Sequence, residues 1–256
     1  MTTRRAAWLV ALLALVAAVP AAAAPTPLVE LGRHLYGQHC VACHGMNGVR
    51  TPRAIGFGRS RTQTEQEAVA PSLVGVGALA ADFYLRTGYM PLPHLGLQPR
   101  RARVLFTERQ LRALVGYVAS LGPGPKVPTP HPQRGNISAG LHLFTDHCAG
   151  CHQIAAEGGY VTGAVAPPLE EATSTQIAEA VRIGPYVMPR FSTKAITDRQ
   201  LDSIIAYVLY AKHPDDRGGW ALGHLGPVPE GLVTWFVAAA ALVLTCMAIG
   251  KRLKHG

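Results

Sequence analysis

Cys40-Val41-Ala42-Cys43-His44 and Cys148-Ala149-Gly150-Cys151-His152 are two copies of C-x-x-C-H in one chain. This spacing sets two thiols against the two vinyl groups of a haem and brings the next imidazole under its iron. Two covalently attached haems are therefore expected. Zinc ribbons place their cysteine pairs roughly 15 to 20 residues apart, whereas residues 43 and 148 are 105 apart. A redox dithiol needs no histidine directly after it. The fifth cysteine, Cys246, lies in an apolar run and reads as a small buried hydrophobe.

The segments around the two motifs repeat as well. Gly32-Arg-His-Leu-Tyr36-Gly-Gln-His39 precedes the first motif and Gly140-Leu-His-Leu-Phe144-Thr-Asp-His147 precedes the second. Thr107-Glu-Arg-Gln-Leu111 and Thr197-Asp-Arg-Gln-Leu201 form a second matched pair. Such self-similarity marks an internal duplication. In each half a helix leads into the motif, and a final helix follows, over 107–121 and 197–212. Each of these opens on a Thr cap with an acid in the first turn. Leu111, Leu114, Val115 and Val118 recur at helical spacing, as do Leu201, Ile204, Ile205 and Val208. No strand is expected between them. Gly122 to Pro132 is Pro-rich and reads as a stiff spacer between two domains.

An iron held by histidine on one side needs its other side explained. Of five methionines, Met1 is the start, Met46 is too near His44 to reach the far face, and Met247 lies in an apolar span. Met90 and Met188 remain, one per half and each followed by proline, and are the expected axial partners of His44 and His152. His94 stays as a rival to Met90, whereas His34, His39, His142 and His147 read as surface or haem-edge residues. His/Met ligation raises the reduction potential and closes the iron to outside ligands, which favours electron transfer. No catalytic triad or carboxylate pair is recognisable, so no independent substrate chemistry is expected.

The two ends of the chain indicate where it works. Arg4 and Arg5, an apolar stretch from Ala6 to Val19 and an Ala-rich segment after Pro20 predict a signal peptide over 1–24. Left uncleaved, the same segment would make a borderline second anchor. Gly231 to Gly250 has no charge and is long enough to cross the roughly 30 Å hydrocarbon core of a bilayer. Lys251, Arg252 and Lys254 follow it and mark the cytoplasmic side. The haem region is then extracytoplasmic. The net charge is +9, and the basic excess is concentrated between residues 25 and 122, where eleven Lys and Arg meet five acidic residues. Export, rather than charge, argues against nucleic acid as a partner; a basic face can equally offset haem propionates or steer an acidic protein.

Each half resembles a class I cytochrome c domain. The features are C-x-x-C-H near the start, a Pro-x-Leu stretch (Pro71-Ser72-Leu73 and Pro167-Pro168-Leu169), Met-Pro, and a last helix with an aromatic, Tyr117 or Tyr207. The order of parts, with Gly218-Gly219-Trp220-Ala-Leu-Gly-His-Leu-Gly226-Pro227-Val228-Pro229-Glu230-Gly231 before one span, is more specific. It is similar to the dihaem cytochrome cc subunits of actinobacterial-type menaquinol:cytochrome c reductases (cytochrome bcc complexes), over nearly the whole mature chain. The resemblance implies an all-α fold of two tandem class I cytochrome c domains plus one C-terminal transmembrane helix. The parts are a signal peptide 1–24, domain 1 over 25–122, a linker 123–135, domain 2 over 136–213, a juxtamembrane segment 214–230, a span 231–250 and a tail 251–256. It implies two haem c groups, on Cys40 and Cys43 and on Cys148 and Cys151. The carbonyls of Pro71 and Pro167 then accept the N–H of the proximal histidines. Gly32 with Tyr36, and Gly140 with Phe144, would pack each first helix on the last. Electrons would come from cytochrome b and a Rieske iron-sulfur protein and leave to a terminal cytochrome oxidase. The stretch from Arg50 to Ala70 departs from the pattern, so no docking surface is carried over to it. A tethered dihaem carrier serving another dehydrogenase or oxidase is the alternative, and a dihaem peroxidase a third reading.

Overall fold

The computed structural model describes residues 26–49, 70–92, 98–213 and 227–255. The expected signal peptide, most of the Arg50–Ala70 stretch, His94 and juxtamembrane residues 214–226 lie outside these. Residues through Lys212 form one compact unit and those from His213 a second.

In the first half, Thr26 caps α1 (Pro27–His39), its hydroxyl accepting the Val29 N–H, and Pro27 opens the helix where its missing N–H costs nothing. One-turn helix α2 (Val41–His44) and a 3-10 turn (Met46–Gly48) follow, then α3 (Gly77–Arg86) and α4 (Glu108–Ser120). The second half repeats the order with α5 (Ile137–His147), α6 (Ala149–His152), α7 (Ser174–Ile183) and α8 (Asp198–Lys212). Thr107 and Gln110 form a reciprocal capping box at the start of α4, and Thr197 with Gln200 does the same for α8. Matched caps explain why both final helices begin where the sequence predicts.

Each half is held by its first and last helix crossing at a glycine. A Cβ on Gly32 would run into the Ala113 carbonyl of α4, and one on Gly140 into the Ser203 carbonyl of α8. The close approach brings Tyr36 and Tyr117 to 5.1 Å between ring centroids at 51°, and Phe144 and Tyr207 to 5.3 Å at 53°. These tilted pairs sit in two cores, one around Leu35, Tyr36 and Leu114, the other around Phe144, Ile204 and Val208. Tyr36 Oη donates to the Gly45 carbonyl at 2.9 Å and Tyr207 Oη to the Ile154 carbonyl at 2.5 Å. Both loops that follow the haem motifs are therefore pinned to the helix pair.

The second half also contains strands that the sequence does not predict. Antiparallel β1 (Gly159–Val161) and β2 (Ala164–Ala166) pair with Tyr160 opposite Val165. Three residues per strand fall below the four to eight over which alternation can be read. The Pro-rich connection is hydrogen-bonded at both ends. The Leu79 N–H donates to the Pro125 carbonyl at 3.1 Å, and Asp202 accepts the His131 N–H at 2.6 Å, so it binds both halves.

The halves meet where α3 packs on α7. Arg86 donates through Nε to both Asp82 oxygens at 2.8 and 2.9 Å and forks onto Glu108 at 2.6 and 2.9 Å, tying α3 to the start of α4. Opposite stands Glu179 of α7, fully buried, with no hydrogen bond to either carboxylate oxygen among the described residues. Burial pushes its pKa up to about 8; the negative charge of Asp82 adds to the rise and Arg86 opposes it. Two facing carboxylates have no donor between them unless one is protonated, so burial and the neighbouring Asp82 favour the protonated form of Glu179.

The second unit is α9 (Pro227–His255), which starts four residues before the expected span and runs into the basic tail. The span Gly231–Leu253 contains an 18-residue window of mean hydropathy 2.4 in which no residue is buried. At 1.5 Å per residue this stretch is roughly 35 Å long, enough to cross a bilayer with some tilt. Cys246 is exposed on this helix, not buried, because the apolar run around it faces outward on all sides.

Gly140→Ala is expected to destabilise the haem-loaded protein by about 3 kcal/mol, since overpacking against backbone has no flexible side chain to yield. Gly37→Ala, where a Cβ meets nothing within 4 Å, is expected to be neutral or to stabilise α1 by up to about 1 kcal/mol. Thermal melts of the two variants check this contrast. For Glu179 the folded state keeps a proton that the unfolded chain loses above about pH 4.5. Stability is thus expected to fall as pH rises from about 4.5 to 8, by on the order of 3 kcal/mol. Glu179→Gln should flatten that part of the melting-temperature profile.

Candidate haem sites

Both C-x-x-C-H segments are single helical turns hung on the end of a longer helix. The Cys40 N–H closes α1 on the Tyr36 carbonyl at 2.9 Å and the Cys148 N–H closes α5 on Phe144 at 2.8 Å. The chain then turns again, with the N–H of His44 and of His152 each 2.9 Å from the carbonyl of its leading cysteine. Next comes a residue with positive φ, Gly45 at 73° in the first half and Gln153 at 59° in the second. The same backbone turn thus carries both motifs, although only one half uses glycine.

None of Cys40, Cys43, Cys148 and Cys151 is paired in a disulfide. Burial, followed by the neighbouring motif thiol, pushes Cys40 and Cys148 up to about 11. His44 Nδ1 lies 2.9 Å from the Pro71 carbonyl and His152 Nδ1 lies 3.0 Å from the Pro167 carbonyl. A carbonyl only accepts, so each Nδ1 carries a proton, and in the neutral ring Nε2 is the nitrogen with the lone pair. Burial lowers the pKa of His152, partly opposed by the Pro167 hydrogen bond.

In the second half one cavity gathers Cys148, Cys151, His152 and Met188 in its wall. Met188 arrives on the loop after α7. Gly184 ends that helix at φ +66, where a Cβ would come within 2.6 Å of the Arg190 N. The loop closes as the Met188 N–H donates to Pro185 and the Phe191 N–H returns to Val181, at 3.0 and 2.9 Å. Leu169, Ile177, Ile204 and Val208 make the rest of this face apolar. Two thiols, an imidazole with a free Nε2 and a thioether around one apolar cavity match the donor set of a covalent haem. In the first half the structure brings His44 to Pro71. It leaves Met90 half-buried just past α3, with its N–H on the Tyr84 carbonyl at 3.0 Å.

Sequence reasoning missed the far wall of the second cavity. Phe83, Thr87, Tyr89, Gln98, Pro99 and Arg101 all come from the first half. Gln98 binds β2 like an extra strand, donating to the Val165 carbonyl at 2.6 Å and accepting its N–H at 3.0 Å. The basic run at Arg100, Arg101 and Arg103 was the only signal available, and it has no motif.

Residues 29–122 match the family model described as cytochrome c, and residues 135–208 match that of cytochrome c oxidase, cbb3-type, subunit III. A cytochrome bc1 complex cytochrome c subunit of Corynebacterium diphtheriae is 33% identical, with 88% of this chain and 81% of the relative covered. The corresponding subunit of Mycobacterium tuberculosis is 34% identical over 88% of this chain and 78% of its own. The chain belongs to the cytochrome bc1 complex cytochrome c subunit family. A more distant relative is a cbb3-type cytochrome c oxidase subunit CcoP of Azospirillum, 27% identical over 69% of this chain and 60% of the relative. As a member of the bc1 cytochrome c subunit family, the protein is a cytochrome c electron carrier with two cytochrome c domains and one apolar C-terminal helix suited to a membrane anchor. Cytochrome c domains carry covalently bound haem c, and the residues around the second cavity fit that group.

Proposed function

We propose that this chain holds two haem c groups and relays electrons within a membrane quinol:cytochrome c reductase, from a Rieske iron-sulfur protein beside cytochrome b towards a terminal oxidase. The observation that carries the reading is the single cavity joining Cys148, Cys151, His152 and Met188. Its counterpart in domain 1 is Cys40, Cys43 and His44 with Met90 on the far side. The two domains run over 25–122 and 136–213, with the linker 123–135 between them. Bound there, haem iron supplies one-electron chemistry between its ferrous and ferric states.

The chain's own residues set the conditions. The carbonyls of Pro71 and Pro167 hold each Nδ1 proton, so His44 and His152 offer Nε2 as a neutral ligand. Met90 and Met188 would each supply a thioether ligand to the iron, favouring the reduced state and excluding outside ligands. Apolar walls keep water from the iron, which favours the form of lower charge. Catalysis belongs to the assembled complex, in which this chain carries electrons. With the span near 231–250 and Lys251, Arg252 and Lys254 beyond it, the haem domains stand outside the membrane and the C-terminus in the cytoplasm. The likeness to a cbb3-type oxidase subunit favours, as a second reading, a tethered carrier that serves an oxidase directly.

Two measurements test the proposal. Met188→Ala is expected to retain both covalent haems but to bind carbon monoxide at one of them, with the potential of that haem lowered by about 0.1 V of the roughly 0.8 V that axial ligands command. Mild-detergent purification of the tagged protein is expected to bring down b-type haem and menaquinol oxidation along with the c-type spectrum. Recovery with a haem–copper oxidase and without b-type quinol oxidation would establish the second reading instead.

A further inference from the structure

Within the cavity that gathers Cys148, Cys151, His152 and Met188, Arg101 is the one permanently charged lining residue among the described residues, and it comes from the other cytochrome domain. We propose that the second haem site is completed by the first domain, with Arg101 pairing with a propionate of the haem held by the second. The inference rests on the reading that those four residues hold haem.

Three observations support it. First, the segment carrying Arg101 is fixed on the cavity. Gln98 is bonded twice to Val165, the Ala102 N–H donates to the Thr87 carbonyl at 3.2 Å, and Arg101 Nη2 donates to Gln176 Oε1 at 3.0 Å. Gln176 is itself held on α7, its Oε1 accepting the Thr173 N–H at 3.2 Å, and it reaches across to the Arg86 carbonyl at 3.4 Å. Second, the guanidinium is poorly paired. The carboxylate beside it, Glu171, is 3.7 Å from Nε and three-quarters exposed, a contact of little energy. Five N–H donors on a side chain 31% exposed leave room for a bidentate anion. Third, a second cation lies nearby. Lys212 Nζ donates to the carbonyl of Ala172, which lines the cavity, and burial and then the charge of Arg101 lower its pKa. Arg101 puts a positive charge in the wall of a mostly apolar cavity, with Lys212 close enough to feel it, and a haem presents two carboxylates along the edge away from its thioethers. A planar fork suits a carboxylate better than an ammonium does.

A cation beside a propionate offsets a negative charge near the iron, so its loss favours the ferric state. The test is a potentiometric titration of the full-length, haem-loaded protein in detergent, comparing wild type, Arg101→Gln and Arg101→Lys. Cys148→Ala with Cys151→Ala identifies the component that belongs to the second haem. Arg101→Gln is expected to keep two haems per chain and to lower the reduced-to-oxidised ratio of that component about tenfold at the wild-type midpoint, equivalent to about 59 mV for one electron. The first component stays in place. Arg101→Lys, which keeps the charge and loses the fork, falls between wild type and Gln, a grading that a packing role alone would not produce. If Arg101→Gln does not accumulate, a downward shift confined to the second component in Arg101→Lys supports the pairing. No shift of that component in the variants that accumulate overturns it, as does an equal shift of both components. Retention of two haems by the double cysteine variant would instead overturn the haem reading itself.

Discussion

The closest contact in each cytochrome domain is between two helices far apart in sequence, and the rest of the domain hangs on it. Gly32 lets α1 lie against the backbone of α4, and Gly140 does the same for α5 on α8. Once the helices touch, the aromatic four residues on meets its partner, Tyr36 on Tyr117 and Phe144 on Tyr207. The first helix of each pair ends directly in the cysteine turn. The helix crossing therefore aims the covalent attachment point, and the tyrosine hydroxyls that reach Gly45 and Ile154 pin the loop on its other side. A larger residue at either crossing would move a ligand turn along with a helix.

The duplication did not leave two independent modules. Asp82 and Arg86 on α3 face Gln176 and Glu179 on α7, and the linker hydrogen-bonds to both halves. A fully buried carboxyl with no donor among the described residues is a costly thing to keep in an interface, and its raised pKa lowers that cost by favouring the uncharged form. The same interface brings Tyr89, the residue before Met90, into the wall of the second cavity. The neighbourhood of one proposed iron ligand is thus the boundary of the other haem site. In the proposed relay between two haems such contiguity is useful, because tunnelling weakens steeply with distance.

Much of this was legible in the chain itself. The two C-x-x-C-H motifs, Met90 and Met188, the Thr-capped final helices and the uncharged C-terminal stretch are local signals, and each depends on residues adjacent in sequence or spaced by one helical period. The prolines at 71 and 167 needed a family resemblance, since a carbonyl acceptor leaves no trace in residue type. The hairpin of β1 and β2 escaped because three residues hold too little alternation to separate from a loop. Cys246 was misplaced because an apolar run reads as buried whether protein or lipid covers it.

The sequence by itself thus determined two cytochrome c domains, each with a cysteine–histidine turn, and one apolar C-terminal helix, because such turns and helix caps act over a few residues. Tertiary structure alone decided which surfaces share a site. That Glu179 is buried beside Asp82, and that Gln98 and Arg101 wall a cavity belonging to the other domain, follows from how two folded halves meet. Contacts between residues some 70 to 100 positions apart depend on the packing of whole helices, and no local pattern in the chain encodes them.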